Sequence, residues 1–155
     1  MEFLSTSELT ENQKAQLFEL WNREYPATLN YASIQGLDDY LNGLTEATHV
    51  LILDESKSVK AWHVDFVREG EKWFAIIVDS DFHGQGLGTE LLNRAKAKES
   101  ELNGWVIDQD NDVKQNGDSY LSPLGFYLNN GFEQLKDKRL ELQHLSAVLI
   151  RWDKH

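Results

Sequence analysis

Three glycines at alternate positions, Gly84, Gly86 and Gly88, stand where an apolar run ending Ile76-Ile77-Val78 gives way to a helical pattern carrying Leu91 and Leu92. Glycine admits left-handed backbone, so successive main-chain N–H groups of such a turn converge beside the positive end of a helix dipole. That arrangement holds an anion, a phosphate or pyrophosphate above all. The plainer reading is a tight turn that lets strand and helix approach closely, and the residues by themselves leave both open. Two nucleotide motifs do not fit the same stretch. A dinucleotide fingerprint needs G-x-G-x-x-G with an acidic residue roughly 20 positions on. A P-loop needs Gly-Lys followed by Ser or Thr, and no lysine lies between Lys72 and Lys96.

Other chemistry-bearing residues are more ambiguous. Asp108, Asp110 and Asp112 copy the first ligands of a calcium loop, but Val113 and Ser119 stand where that loop needs Gly and Glu, so no metal is expected. His63 and Asp65 share one face of a strand, where each is as readily a satisfied polar residue as a base. Cysteine is absent, which removes thiol nucleophiles, thiolate metal sites and disulfides together.

The elements that must position these residues follow from periodicity. Thr10-Glu11-Asn12-Gln13 reads as a capping box, followed by Leu17, Leu20 and Trp21 at helical spacing until Pro26. Leu37, Tyr40, Leu41 and Leu44 mark a second short helix. The period then changes to that of strands over 49–53, 59–67 and 73–78, joined by tight turns and therefore antiparallel. A helix follows from Gly86, with Leu87, Leu91 and Ala95 on one face, then a short strand at 104–107. A helix over 122–130 ends at Gly131, with Ser122 as cap and Pro123 as first helical residue, and strands at 132–135 and 145–152 close the chain. Strand, glycine turn, helix and strand in succession imply one parallel pair within an otherwise antiparallel sheet. The last strand is apolar on both faces, as suits a central strand or burial against a second subunit in a homodimer.

The chain has 155 residues, 41% of them hydrophobic, enough for one core and one domain spanning 1–155. Fifteen Lys and Arg face 26 Asp and Glu, and the net charge of −11 repels phosphate backbones and anionic bilayers, so neither nucleic acid nor membrane is an expected partner. No apolar run of membrane-spanning length occurs and the start lacks a basic region before an apolar stretch, so a cytoplasmic location is expected.

The segment His83-Gly84-Gln85-Gly86-Leu87-Gly88 resembles the coenzyme A loop of the GNAT superfamily of N-acetyltransferases, with histidine in the place of that loop's first Gln or Arg. Phe126-Tyr127-Leu128-Asn129-Asn130-Gly131-Phe132 resembles the superfamily's late Tyr-x-x-x-Gly-Phe block. The likeness runs from about His49 to the C-terminus. It implies a GNAT fold: an α/β (α+β) arrangement whose mainly antiparallel sheet holds a splayed central parallel pair between flanking helices. It further implies acetyl-CoA as co-substrate, its pyrophosphate on the amides of Gln85, Gly86, Leu87, Gly88 and Thr89, with His83 and Gly84 leading in. The pantetheine arm lies along the strand ending Ile77-Val78, and an amide near Ile76 or Ile77 binds the thioester oxygen. Tyr127 takes the place of the general acid that protonates the departing thiolate, and Asp108 is the favoured contact for the amine. The acceptor is a primary amine of a small molecule or peptide, and the acidic loop 108–118 suits a cationic one. A non-catalytic acyl-CoA sensor with the same fold is the rival reading.

Overall fold

The computed structural model describes residues 1–154. Strand β1 (Glu2–Thr6) precedes helices α1 (Glu11–Glu24) and α2 (Ile34–Asn42); β2 (Thr45–Leu53), β3 (Val59–Arg68) and β4 (Glu71–Val78) follow. Then come α3 (Leu87–Lys98), β5 (Glu101–Val106), α4 (Leu124–Asn129), β6 (Glu133–Leu142) and β7 (Leu145–Asp153). The seven strands form one sheet in the order β1-β2-β3-β4-β5-β7-β6, antiparallel throughout except for β4 beside β5. The mixed α/β fold with one central parallel pair is thus as expected.

The capping box forms: Thr10 Oγ1 accepts from the Gln13 amide at 3.1 Å while Gln13 Oε1 accepts from the Thr10 amide at 2.9 Å. Leu17, Leu20 and Trp21 then meet Trp62, Val64, Phe66, Trp73 and Ile77 on one face of the sheet. Leu91, Leu92 and Ala95 of α3 cover the other face. Strand β4 supplies both cores by alternation, Trp73 and Ile77 to the first, Phe74 and Ile76 to the second, which explains its unbroken hydrophobicity.

Several boundaries differ from the expectation. Helix α4 starts at Leu124 rather than Ser122; the Ser122 hydroxyl still accepts from the Leu124 amide at 3.2 Å and donates to Ile107 O. Strand β6 runs on to Leu142, seven residues past the predicted end, because its outer half is a polar edge that pairs with β7 while showing most side chains to water. Strand β7 lies between β5 and β6, which accounts for its two apolar faces within one subunit.

Candidate active site

The glycine turn has two different physical requirements. Gly84 and Gly86 have φ of +80° and +78°, and a Cβ at either would meet nothing within 4 Å, so backbone conformation alone selects glycine there. Gly88 has ordinary helical backbone, but a Cβ would stand 2.9 Å from Phe126 Cζ, so this glycine lets α3 and α4 touch. The first bond inside α3 runs from the Glu90 amide to Gly86 O at 2.9 Å, leaving the amides of Leu87, Gly88 and Thr89 free of intrahelical partners. His83 turns back onto the strand, its Nε2 2.9 Å from Val78 O. The C-terminal end of α1 is bolted to the same turn: Glu24 accepts from the Ser80 amide at 3.0 Å and Arg23 reaches Asp79 at 3.0 Å.

Strands β4 and β5 pair only at Trp73 and Asn103, where Asn103 Nδ2 donates to Lys72 O at 3.0 Å; beyond that point the ladder ends. The Asp79 amide donates to Lys60 O, so the antiparallel alternation commits the amides of Trp73, Ala75 and Ile77 to β3. Those of Phe74, Ile76 and Val78 face the diverging side. Ile77, expected as a main-chain contact for the cofactor, is corrected accordingly: the residue lines the cleft, but its amide is committed to β3.

A cavity of about 990 Å³ occupies the divergence. It starts among Gly84, Gly86, Gly88 and Thr89, passes Ile76, Val78, Phe126 and Tyr127, and opens between Trp21, Trp73 and Trp105 on the α1 side of the sheet. The stretch 112–120 roofs it as a small hairpin, with Val113 bridged to Ser119 and the Ala27 amide donating to Val113 O at 2.8 Å. Lys114 of this hairpin reaches Glu24 at 3.4 Å.

Residues 46–134, more than half of the chain, match the model of the acetyltransferase (GNAT) domain. The chain belongs to the GNAT family of N-acetyltransferases. Solved structures agree in fold. An aminoglycoside 6'-N-acetyltransferase complexed with coenzyme A superposes with a TM-score of 0.71 at 13% identity, over 100% of this chain and 98% of that one. A variant spermidine N-acetyltransferase from Vibrio cholerae gives 0.66 at 15% identity, over 99% and 95%. The ribosomal-protein-S18-alanine N-acetyltransferase from Escherichia coli gives 0.64 at 15%, over 99% and 94%. No curated protein sequence matches the chain.

On this GNAT framework Tyr127 lines the cavity and is 7% exposed, its ring held edge-on against Phe74, Phe126 and Phe132 with centroids 5.7, 5.1 and 5.5 Å away. Burial, with a smaller contribution from Tyr120, pushes its phenol far above the ordinary value. Helix α4 ends as the Tyr-x-x-x-Gly-Phe pattern requires: Gly131 takes φ +86°, and the Phe132 amide returns to Tyr127 O at 3.1 Å.

Asp108 does not line the cavity. Arg139 of β6 grips its two oxygens at 2.9 and 3.1 Å, and the hydrogen bonds from that guanidinium hold the carboxyl below the usual carboxylate range. The expectation that it contacts the amine is corrected: it ties the end of β5 to β6. His63 and Asp65 lie on the α3 face, where His63 stacks on Phe74 and Asp65 takes Lys98 at 2.8 Å. Gln85 is exposed and outside the cavity lining, in contrast with its expected place in the cradle. The aromatic wall of Trp21, Tyr40, Trp73, Trp105 and Tyr120, with Arg68 at its rim, was not foreseen. These residues come from five separated segments, and only their number, five tryptophans in 155 residues, hints at more aromatic surface than a core needs.

Proposed function

We propose that the protein moves the acetyl group of acetyl-CoA directly onto a primary amine of a small molecule or peptide. The observation that supports this is a single cavity joining the glycine cradle, the diverging edge of β4, Tyr127 and an aromatic chamber across the sheet. The amides of Leu87, Gly88 and Thr89 fit the pyrophosphate, and those of Ile76 and Val78 fit the pantetheine as a strand partner. Acetyl-CoA supplies the acyl group as a thioester, ready for attack without further activation. The Ile76 amide is the donor for the thioester oxygen, and a donor so placed is worth on the order of 100-fold or more in rate.

Tyr127 gives its proton to the departing thiolate and regains one, through solvent, as the attacking nitrogen sheds its proton to become the amide. Its raised pKa keeps the hydroxyl protonated across the neutral range, so it acts as donor and not as base. Among the described lining residues the carboxylate is Glu24. Burial raises its pKa, but the Ser80 amide and Lys114 outweigh that and bring it below the ordinary value. Glu24 is therefore a poor acceptor for the ammonium proton, and the lining imidazole, His83, has its Nε2 turned onto Val78 O. The amine loses it to water, and kcat/KM climbs with pH toward the pKa of the acceptor itself, near 10 for an alkylamine.

The test is thiol release from acetyl-CoA across a panel of primary amines, run beside thermal shift with acetyl-CoA alone. Stabilisation with amine-dependent thiol release bears the proposal out. Stabilisation without release from any amine supports the sensor reading instead.

A further inference from the structure

The chamber on the α1 side carries a chemistry of its own. Trp21, Tyr25, Tyr40, Phe66, Trp73 and Trp105 line it, with ring centroids 4.7 Å apart for Trp21 and Tyr25, 5.3 Å for Trp21 and Tyr40, and 5.7 Å for Trp73 and Trp105. Such walls take a planar or bulky apolar body. At the rim, the Arg68 guanidinium stands 5.1 Å from the centroids of both Phe66 and Trp73. Stacking of this kind fixes the guanidinium plane while leaving its N–H fork available.

Arg68 differs from the other arginines. Arg23 holds Asp79, Arg94 holds Glu90, Arg139 holds Asp108, and Arg151 holds Glu71. Arg68 has no carboxylate partner among the described residues, although acidic residues outnumber basic ones 26 to 15. Arg68 itself is exposed, but the indole nitrogen of Trp73, in one of the rings beside that guanidinium, is a buried donor with no acceptor among the described residues. The carboxylate that does line the chamber, Glu24, is already taken by Lys114, Arg23 and the Ser80 amide. The acidic loop that suggested a cationic acceptor is also engaged: Asp108 holds Arg139 of β6, Asp110 accepts from the Ser122 amide, and Asp112 accepts from Gln109.

We propose that the acceptor amine also bears a carboxylate, on an aromatic or bulky apolar body, as an aromatic amino acid does, and that Arg68 reads that carboxylate. The inference rests on the acetyl-transfer reading above. An ammonium at the far end of a polyamine would instead meet the Arg68 charge with no free carboxylate to offset it. A planar carboxylate takes the guanidinium fork through two parallel hydrogen bonds.

The experiment compares kcat/KM for tryptophan and phenylalanine with their decarboxylated counterparts, tryptamine and phenethylamine, and with spermidine, in the parent protein, R68Q and R68K, at one pH with saturating acetyl-CoA. Referred to the concentration of free amine, the parent is expected to favour each amino acid by about tenfold or more. R68Q lowers kcat/KM for the amino acids by roughly ten- to hundredfold, mainly through KM, and changes the decarboxylated amines by less than about threefold; R68K falls between. Faster use of tryptamine or spermidine by the parent, or an equal loss in R68Q for both substrate classes, overturns the inference and leaves acetyl transfer standing. Absence of both an acetyl-CoA thermal shift and thiol release from any amine overturns the acetyl-transfer reading itself.

Discussion

Replacing Tyr127 by phenylalanine removes one hydroxyl and keeps the ring packed on Phe74, Phe126 and Phe132. Thiol release by this variant is expected to fall about 100-fold or more in kcat, with the acetyl-CoA thermal shift retained. A variant within threefold of the parent would remove Tyr127 from the chemistry. Gly86→Ala forces a side chain onto φ +78° in open space, so a cost of about 1 kcal/mol, read by urea denaturation, is expected from backbone strain alone. Gly88→Ala differs in kind, since its methyl collides with Phe126 and prises α3 from α4; its effect belongs to cofactor affinity as well as stability. Asp108→Asn, by contrast, leaves kcat within about threefold, because the carboxylate serves Arg139 and not the cavity. At this scale the glycines and Tyr127 were legible, since a local pattern carries them. Asp108 misled because its position at a strand end says nothing of Arg139, which lies 31 residues away and becomes its partner only through the sheet.

Among elements, the long stretch after β5 is the one that departs most from a simple connection. Its hairpin hangs on segment 26–27 by the Ala27 amide and on α1 by Lys114, so roof and chamber wall are coupled through Glu24. Glu24→Ala leaves the Ser80 amide and Lys114 without their acceptor. A loss of about 1–3 kcal/mol is expected, along with weaker acetyl-CoA binding because the glycine turn loses its anchor to α1. Unchanged affinity with lowered stability would confine Glu24 to holding the roof. Helices and inner strands were readable from apolar spacing, as Leu17, Leu20 and Trp21 or the double-sided run Trp73–Val78 show. The outer half of β6 was not, because an edge strand that faces water keeps no apolar rhythm, and its pairing with Ala147 and Val148 is a property of the assembled sheet. The hairpin over 112–120 escaped notice for a like reason: its bridges, Val113 with Ser119 and Lys114 with Pro26, are isolated main-chain contacts with no apolar alternation around them.

For the molecule as a whole, two buried histidines set the response to acid. His49 accepts from Trp62 Nε1 at 3.0 Å and His63 is 1% exposed; burial, opposed by Asp65, lowers both imidazoles to about 4. The unfolded chain takes up these protons near pH 6.5 while the folded one does not, so the stability they supply is complete above that pH. It drains away as pH falls toward 4. Between pH 6.5 and 5 the loss is about 2 kcal/mol per histidine, with Glu24 and Asp108 adding in the same direction at lower pH. Urea midpoints at pH 7.5 and 5.0 measure it, and His63→Leu flattens the difference by roughly half; equal midpoints in the parent would show that the imidazoles titrate normally. No helix among the described residues is long and apolar enough to cross a membrane. The break in the ladder beyond Trp73 and Asn103 has one more consequence. The sheet is two leaves, β1-β2-β3-β4 and β5-β7-β6, whose main-chain ladder is one bridge, and on the proposed reading a molecule seated between them is structural cement as well as a reactant. At 100 times its dissociation constant it adds about 2.7 kcal/mol to the folded state. On the proposed reading, heat tolerance rises with the concentration of acetyl-CoA, a dependence that a thermal-shift titration measures.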